Sequence, residues 1–89
     1  MNTLHTINKP GQPLQLCLRS IGDNDAILLI EDGAYCLLNP KDMLSHYPIY
    51  VLEIDSNARG LTCPDNMILV DYPTFVELTT RYNKTISWF

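Results

Sequence analysis

AILLIEDGAY, residues 26–35, is the stretch that decides the fold of this chain. Its first five residues are apolar without a break, where a strand with one wet face would alternate apolar and polar positions. An unbroken run of that length suits a strand covered on both sides, as in a parallel sheet sandwiched between helices. Glu31, Asp32 and Gly33 then close the run. A second apolar run, ILVDY at residues 68–72, stops the same way, on Asp71.

Working outward, further short apolar runs at residues 3–7 and 49–53 read as strands, beside those at 26–30 and 67–70, with a last one at 85–88. Between them lie stretches of helical period, the grammar of βα units. NKPGQP, residues 8–13, is a break rich in turn residues. From Pro13 onward Leu14, Cys17, Leu18 and Ile21 make one stripe of a short helix, which Gly22 can end in the left-handed conformation. DYPTFVELTTRYN, residues 71–83, reads as the longest helix. Asp71 caps it, Pro73 sits in its first turn, Phe75, Leu78 and Tyr82 face inward, and Asn83 stops it. NPKDMLSHYP, residues 39–48, has a proline near each end and room for a turn or two of helix. The expected fold is a small three-layer α/β domain over residues 1–89, with a mostly parallel sheet of four to five strands and flanking helices.

Composition narrows the function classes. Apolar residues are 46% of the 89 and charged residues 18%, a thin polar coat that predicts apolar surface covered by a partner. The net charge is −4 and the six Lys and Arg are scattered, so nothing resembles a basic patch able to replace counterions on a phosphate backbone. Direct nucleic-acid binding is not expected. MNTLHTINKPG at the start has neither a basic nor an apolar targeting segment, and residues 26–30 are far too few to cross a bilayer. The chain reads as cytoplasmic, without membrane contact. Cys17, Cys36 and Cys63 form no CxxC pair, and His5 and His46 stand at no ligand-like spacing from them. No metal or cofactor site is expected.

The carboxylates at the strand ends admit two readings. Ligands of open parallel sheets sit beyond the carboxyl ends of the strands, so Glu31, Asp32 and Asp71 stand on a functional rim, where two of them can form an acid and base pair. The architectural reading makes Asp32 and Asp71 helix caps and Gly33 the turn residue that lets the strand leave the sheet.

Four phrases in order carry a resemblance: LHT at residues 4–6, EDG at 31–33, ARGLT at 58–62 and ILVDYPTFVELT at 68–79. Together they make the chain similar to the DsrH/TusB family of sulfur-relay subunits, from Leu4 to Trp88. The resemblance implies a DsrEFH-like fold and a non-catalytic or weakly catalytic subunit in a hetero-hexamer with TusC-like and TusD-like subunits. That complex takes sulfane sulfur from TusA and passes it through TusE toward 2-thiolation of the wobble uridine of certain tRNAs. Two alternatives stay open: an independent persulfide carrier in sulfur oxidation, and a purely structural subunit. Between Leu38 and Ile49 the chain is tighter than fuller relatives, which puts its second helix in question.

Persulfide relay needs a partly exposed thiolate of lowered pKa. The resemblance places the carrier cysteine on the TusD-type subunit, while DsrH chains of sulfur-oxidising bacteria carry one at the position of Cys17. Cys17 is thus the candidate catalytic residue, against which stands its place in the apolar stripe. Cys36, just past the EDG rim, is second on chemistry alone, and Cys63 before Pro64 reads as loop. His5 in the first strand is expected to be a hydrogen-bonded structural histidine, and His46 to be solvated. Arg59 suits either a charge pair across a subunit contact or a surface turn. Trp88 and Phe89 close the sheet or seal an interface.

Overall fold

The computed structural model describes residues 2–39 and 47–89. Strand β1 (Thr3–Ile7) is followed by helix α1 (Gln12–Ser20), strand β2 (Ala26–Leu29), a 3-10 segment (Glu31–Leu38), strand β3 (Ile49–Leu52), helix α2 (Glu53–Ala58), strand β4 (Ile68–Val70), helix α3 (Tyr72–Arg81) and strand β5 (Lys84–Trp88). The five strands form one sheet in the order β4-β3-β2-β1-β5, every pair parallel.

The central position of β2 explains its sequence. All four of its residues are fully buried, because the two faces carry separate cores. Ile27 and Leu29 join Ile7, Val51 and Ile49 beneath Leu14 and Cys17 of α1 and Cys36 and Leu37 of the 3-10 segment. Ala26 and Leu28 join Leu4, Leu52 and Val70 beneath Leu78 of α3, with Phe75 and Tyr82 packed against them. Successive residues of a strand point to opposite faces, so a strand between two helix layers needs apolar side chains at every position.

The expected three-layer sheet is present, with local differences. Strand β3 ends at Leu52 because Glu53 opens α2, a short helix the periodicity did not predict, with Glu53 and Asp55 in its first turn where the helix dipole favours acids. Met67 belongs to a turn, its N–H bonding Pro64 O at 3.0 Å, and β4 starts at Ile68. Strand β5 begins one residue early, at Lys84. Gly22 does not end α1 in the left-handed region. The helix closes on Ile21 in extended conformation, and the Gly22 N–H donates to Asp25 Oδ2 at 2.9 Å. A carboxylate three residues ahead supplies the stop that a glycine was expected to give.

Helix α3 ends at Arg81, slightly before Asn83. The side chains of Asn2 and Asn83 each accept the other's backbone N–H, at 2.9 and 3.2 Å, fastening the start of β1 to the turn before β5. The expectations for His46 and for a helix within NPKDMLSHYP fall largely on residues 40–46, outside the described residues.

Candidate functional site

The thiols come first, because sulfur chemistry needs one. Cys17 lies on the inner face of α1 and is fully buried. Burial pushes its thiol up to about 12, and the nearby charge of Asp25 adds to the rise. A thiol with that pKa is almost wholly protonated at neutral pH and is a poor nucleophile. Cys36 is buried in the 3-10 segment against the same core. Cys63 is half-buried in the loop after α2, its thiol also raised, by burial and by Asp65.

Asp25 anchors the polar assembly beside Cys17. Its carboxylate accepts from His5 Nε2 at 2.9 Å, from the Thr3 N–H at 2.8 Å and from the Gly22 N–H at 2.9 Å. On the other side of the imidazole, Trp88 Nε1–H donates to His5 Nδ1 at 2.9 Å. Since Nδ1 accepts, Nε2 carries the ring proton and donates it to Asp25. Burial alone would raise the Asp25 carboxyl; the bonds from His5, Gly22 and Thr3, with the attraction of His5, outweigh it and hold the carboxyl below its ordinary value. His5 is 2% exposed, the hydrogen-bonded structural histidine expected of the first strand. The chain Asp25–His5–Trp88 joins the start of β2, β1 and the end of β5.

The rim at the end of β2 is organised differently from expectation. Asp32 does not cap a helix: its Oδ1 accepts from Arg59 Nε at 3.0 Å and Nη2 at 2.9 Å. The amide at the start of the 3-10 segment is satisfied from elsewhere, Asp55 Oδ2 accepting the Glu31 N–H at 2.6 Å. Glu31 adopts φ 50°, a left-handed backbone costly for a side-chain-bearing residue, and this bond holds it there. Arg59 also donates to Asp55 O at 3.1 Å and lies 5.8 Å over the Tyr35 ring. Through these described contacts Arg59 clamps the 3-10 segment to α2.

Gly33 is required for a reason other than turning. A Cβ there would stand 2.0 Å from Ile7 O, because the 3-10 segment passes directly over the end of β1. Asp71, by contrast, caps as expected, its Oδ1 accepting the Thr74 N–H at 2.9 Å. The acid and base pair is not assembled: β3 separates the ends of β2 and β4, Asp32 is bound to Arg59 and Asp71 to Thr74.

The phrases EDG and ARGLT, more than twenty residues apart in the chain, therefore meet in space at the Asp32–Arg59 contact. The family description "DsrH like protein" matches residues 10–85. The chain belongs to the DsrH/TusB family. Protein TusB of Pectobacterium parmentieri is 34% identical to this DsrH/TusB chain over 96% of its length and 99% of the relative. Protein TusB of Yersinia enterocolitica is 33% identical over 84% and 86%. Among solved structures, protein Tm0979 of Thermotoga maritima has a TM-score of 0.64 and 26% identity over 88% of this chain and 92% of that one. The ychN protein of E. coli has a TM-score of 0.70 over 97% of both, at 17% identity, a likeness of fold.

Asp25 and Asp55 escaped the reading of this family member's sequence. Asp55 carried a signal, its spacing of four residues from Arg59, which places the two on one helix face. Asp25 carried none, since only folding brings it to His5. Among the described residues no group of three or more His, Cys, Asp or Glu is placed to hold a metal ion, and no helix is long and apolar enough to cross a membrane.

Proposed function

We propose that this chain is a cytoplasmic, single-domain subunit of a sulfur-relay complex serving 2-thiolation of the tRNA wobble uridine. It assembles with TusC-like and TusD-like subunits in a hetero-hexamer whose relay partners are TusA and TusE. The observation that carries this reading is its likeness to Protein TusB over nearly the full length of both chains. Within that complex it shapes the assembly, and the transferred sulfur rides on a sister subunit. In support, the candidate carrier Cys17 is fully buried with its thiol raised to about 12, a setting for packing.

The exposed apolar residues fit a subunit role. Ile68 and Leu69 lie on the edge strand β4, with Tyr72 and Val76 on the helix that follows, all more than 40% exposed. An edge strand with apolar side chains and no proline, lysine or bulge invites pairing unless a companion covers it. Deleting the gene is expected to abolish wobble-uridine 2-thiolation, read as loss of the thiolated nucleoside by mass spectrometry. Complementation with Cys17→Ala is expected to restore it. An unchanged nucleoside profile in the deletion refutes the role, and failure of Cys17→Ala, with the variant folded and assembled, returns the sulfur to Cys17.

A further inference from the structure

The polar chain Asp25–His5–Trp88 has no task in the sulfur-relay reading. His5 is buried, and both of its ring nitrogens are engaged, Nε2 donating to Asp25 Oδ2 at 2.9 Å and Nδ1 accepting the Trp88 indole N–H at 2.9 Å. An indole nitrogen can only donate. The arrangement therefore exists only while Nδ1 keeps its lone pair, and histidine is the side chain that ordinarily changes charge between about pH 5 and 8.

A proton taken up by the ring has one place to go, the Nδ1 lone pair. The imidazolium then carries an N–H on each side. Toward Asp25 this strengthens the existing bond, now between two charges, whereas toward Trp88 it sets one N–H against another with no acceptor between them. Neighbouring bonds decide what can move. Ser87 pairs with Thr6 in the ladder and its Oγ accepts from Thr6 Oγ1 at 3.0 Å, so the strand stays fastened up to that residue. Beyond it stand Trp88 and the exposed Phe89, which line a cleft of about 320 Å³ together with Lys9 and Leu16.

The groups packed around the ring come from several elements. Asp25 precedes β2, Cys17 lies on α1 and Tyr82 follows α3, the last two feeling the charge of Asp25. Asp25 is held below 3.8 by its hydrogen bonds, while burial pushes Cys17 and Tyr82 up to about 12, so none of the three changes charge between pH 5 and 8. Lysines and carboxylates such as Lys9 and the terminal carboxylate of Phe89, which share the cleft with Trp88, ordinarily keep their charge in that range. The amino group of Met1 and His46 lie outside the described residues, and groups of their kind titrate there. A test has to separate them from His5.

We infer that His5 is a proton-operated latch: its protonation unseats the Trp88 indole and frees Trp88 and Phe89 from the end of β5, changing the shape of the cleft they line. The latch goes beyond the sulfur-relay role and does not rest on it. Trp88 is the single tryptophan, so one indole N–H resonance reports it in nitrogen–proton correlation spectra of the full chain, recorded from about pH 8 down to about pH 5. The indole resonance is expected to move with the same midpoint as the His5 ring, and its exchange with water to rise at least tenfold across the step. His5→Gln retains an acceptor for Trp88 and a donor for Asp25 but takes up no proton, and its indole resonance is expected to stay fixed. Trp88→Phe removes the donor that opposes protonation, and the His5 midpoint is expected to rise by about 0.5 pH units, the equivalent of one modest hydrogen bond. The same spectra show that each variant is folded, and Trp88→Phe with the parent suffices if His5→Gln is not. No His5 midpoint within the range, an indole resonance that ignores it, a step that persists in folded His5→Gln, or a midpoint unchanged or lowered in Trp88→Phe would each overturn the inference.

Discussion

Gly33 shows how much a single position can carry. The 2.0 Å between a Cβ there and Ile7 O cannot be relieved by a side-chain rotation, because the obstacle is backbone. Gly33→Ala is expected to destabilise the fold by about 3 kcal/mol, the upper range for overpacking, measured as a lower urea midpoint with unchanged slope. Cys17 makes the opposite statement about reactivity. With its thiol raised to about 12 by burial, it stays in the unreactive protonated form at pH 8. Iodoacetamide is expected to label Cys63 in the folded protein and Cys17 only once urea unfolds it, read by peptide mass spectrometry. Asp25 gives the pH dependence. Its folded pKa lies below the ordinary 3.8, so its contribution is complete above that value and fades as pH falls through the folded pKa. The stability gap between the parent and Asp25→Asn is therefore expected to be wide at pH 6 and to narrow in acid, measured by urea denaturation at each pH.

At the scale of elements, the molecule is held by contacts between segments far apart in sequence. Among the described residues strand β5 pairs only with β1, and the Trp88–His5 bond pins its far end. His5→Phe removes the acceptor of the Trp88 indole N–H and one of the donors to the part-buried Asp25 carboxylate, a change expected to cost about 1–3 kcal/mol, with a shift in Trp88 emission as the local readout. The 3-10 segment is clamped to α2 through Asp32–Arg59 and Glu31–Asp55. Helix α3 depends on Asp71 for its first turn. Asp71→Ala is expected to raise hydrogen exchange at Thr74 and its neighbours while β1 and β2 stay protected.

At the scale of the whole molecule, the described residues leave apolar surface on one side of the sheet, from β4 into the first turns of α3. Surface substitutions away from special features change stability little, so Leu69→Lys and Tyr72→Glu are expected to keep the chain folded by circular dichroism. Both are expected to end its co-purification with TusC-like and TusD-like subunits, which would place the interface on this edge.

How much of this was legible in the residues follows from the range of the forces involved. The strands, α1, α3 and the Asp71 cap rest on periodicity and on contacts within a few residues, and the sequence alone determined them. The unbroken run at 26–30 even foretold a strand with no wet face, because burial on both sides leaves no position for a polar side chain. The sequence alone also placed the chain in its family, through phrases short enough to read in one dimension. Only the tertiary structure decided that Asp32 binds Arg59 and caps nothing, that Gly33 makes room for the end of β1, and that Asp25 reaches His5 and stops α1. Each of these depends on backbone segments brought together by packing. Hydrogen bonds and steric contacts act over a few ångströms in space, and separation along the chain carries no record of which polar groups will come within that distance.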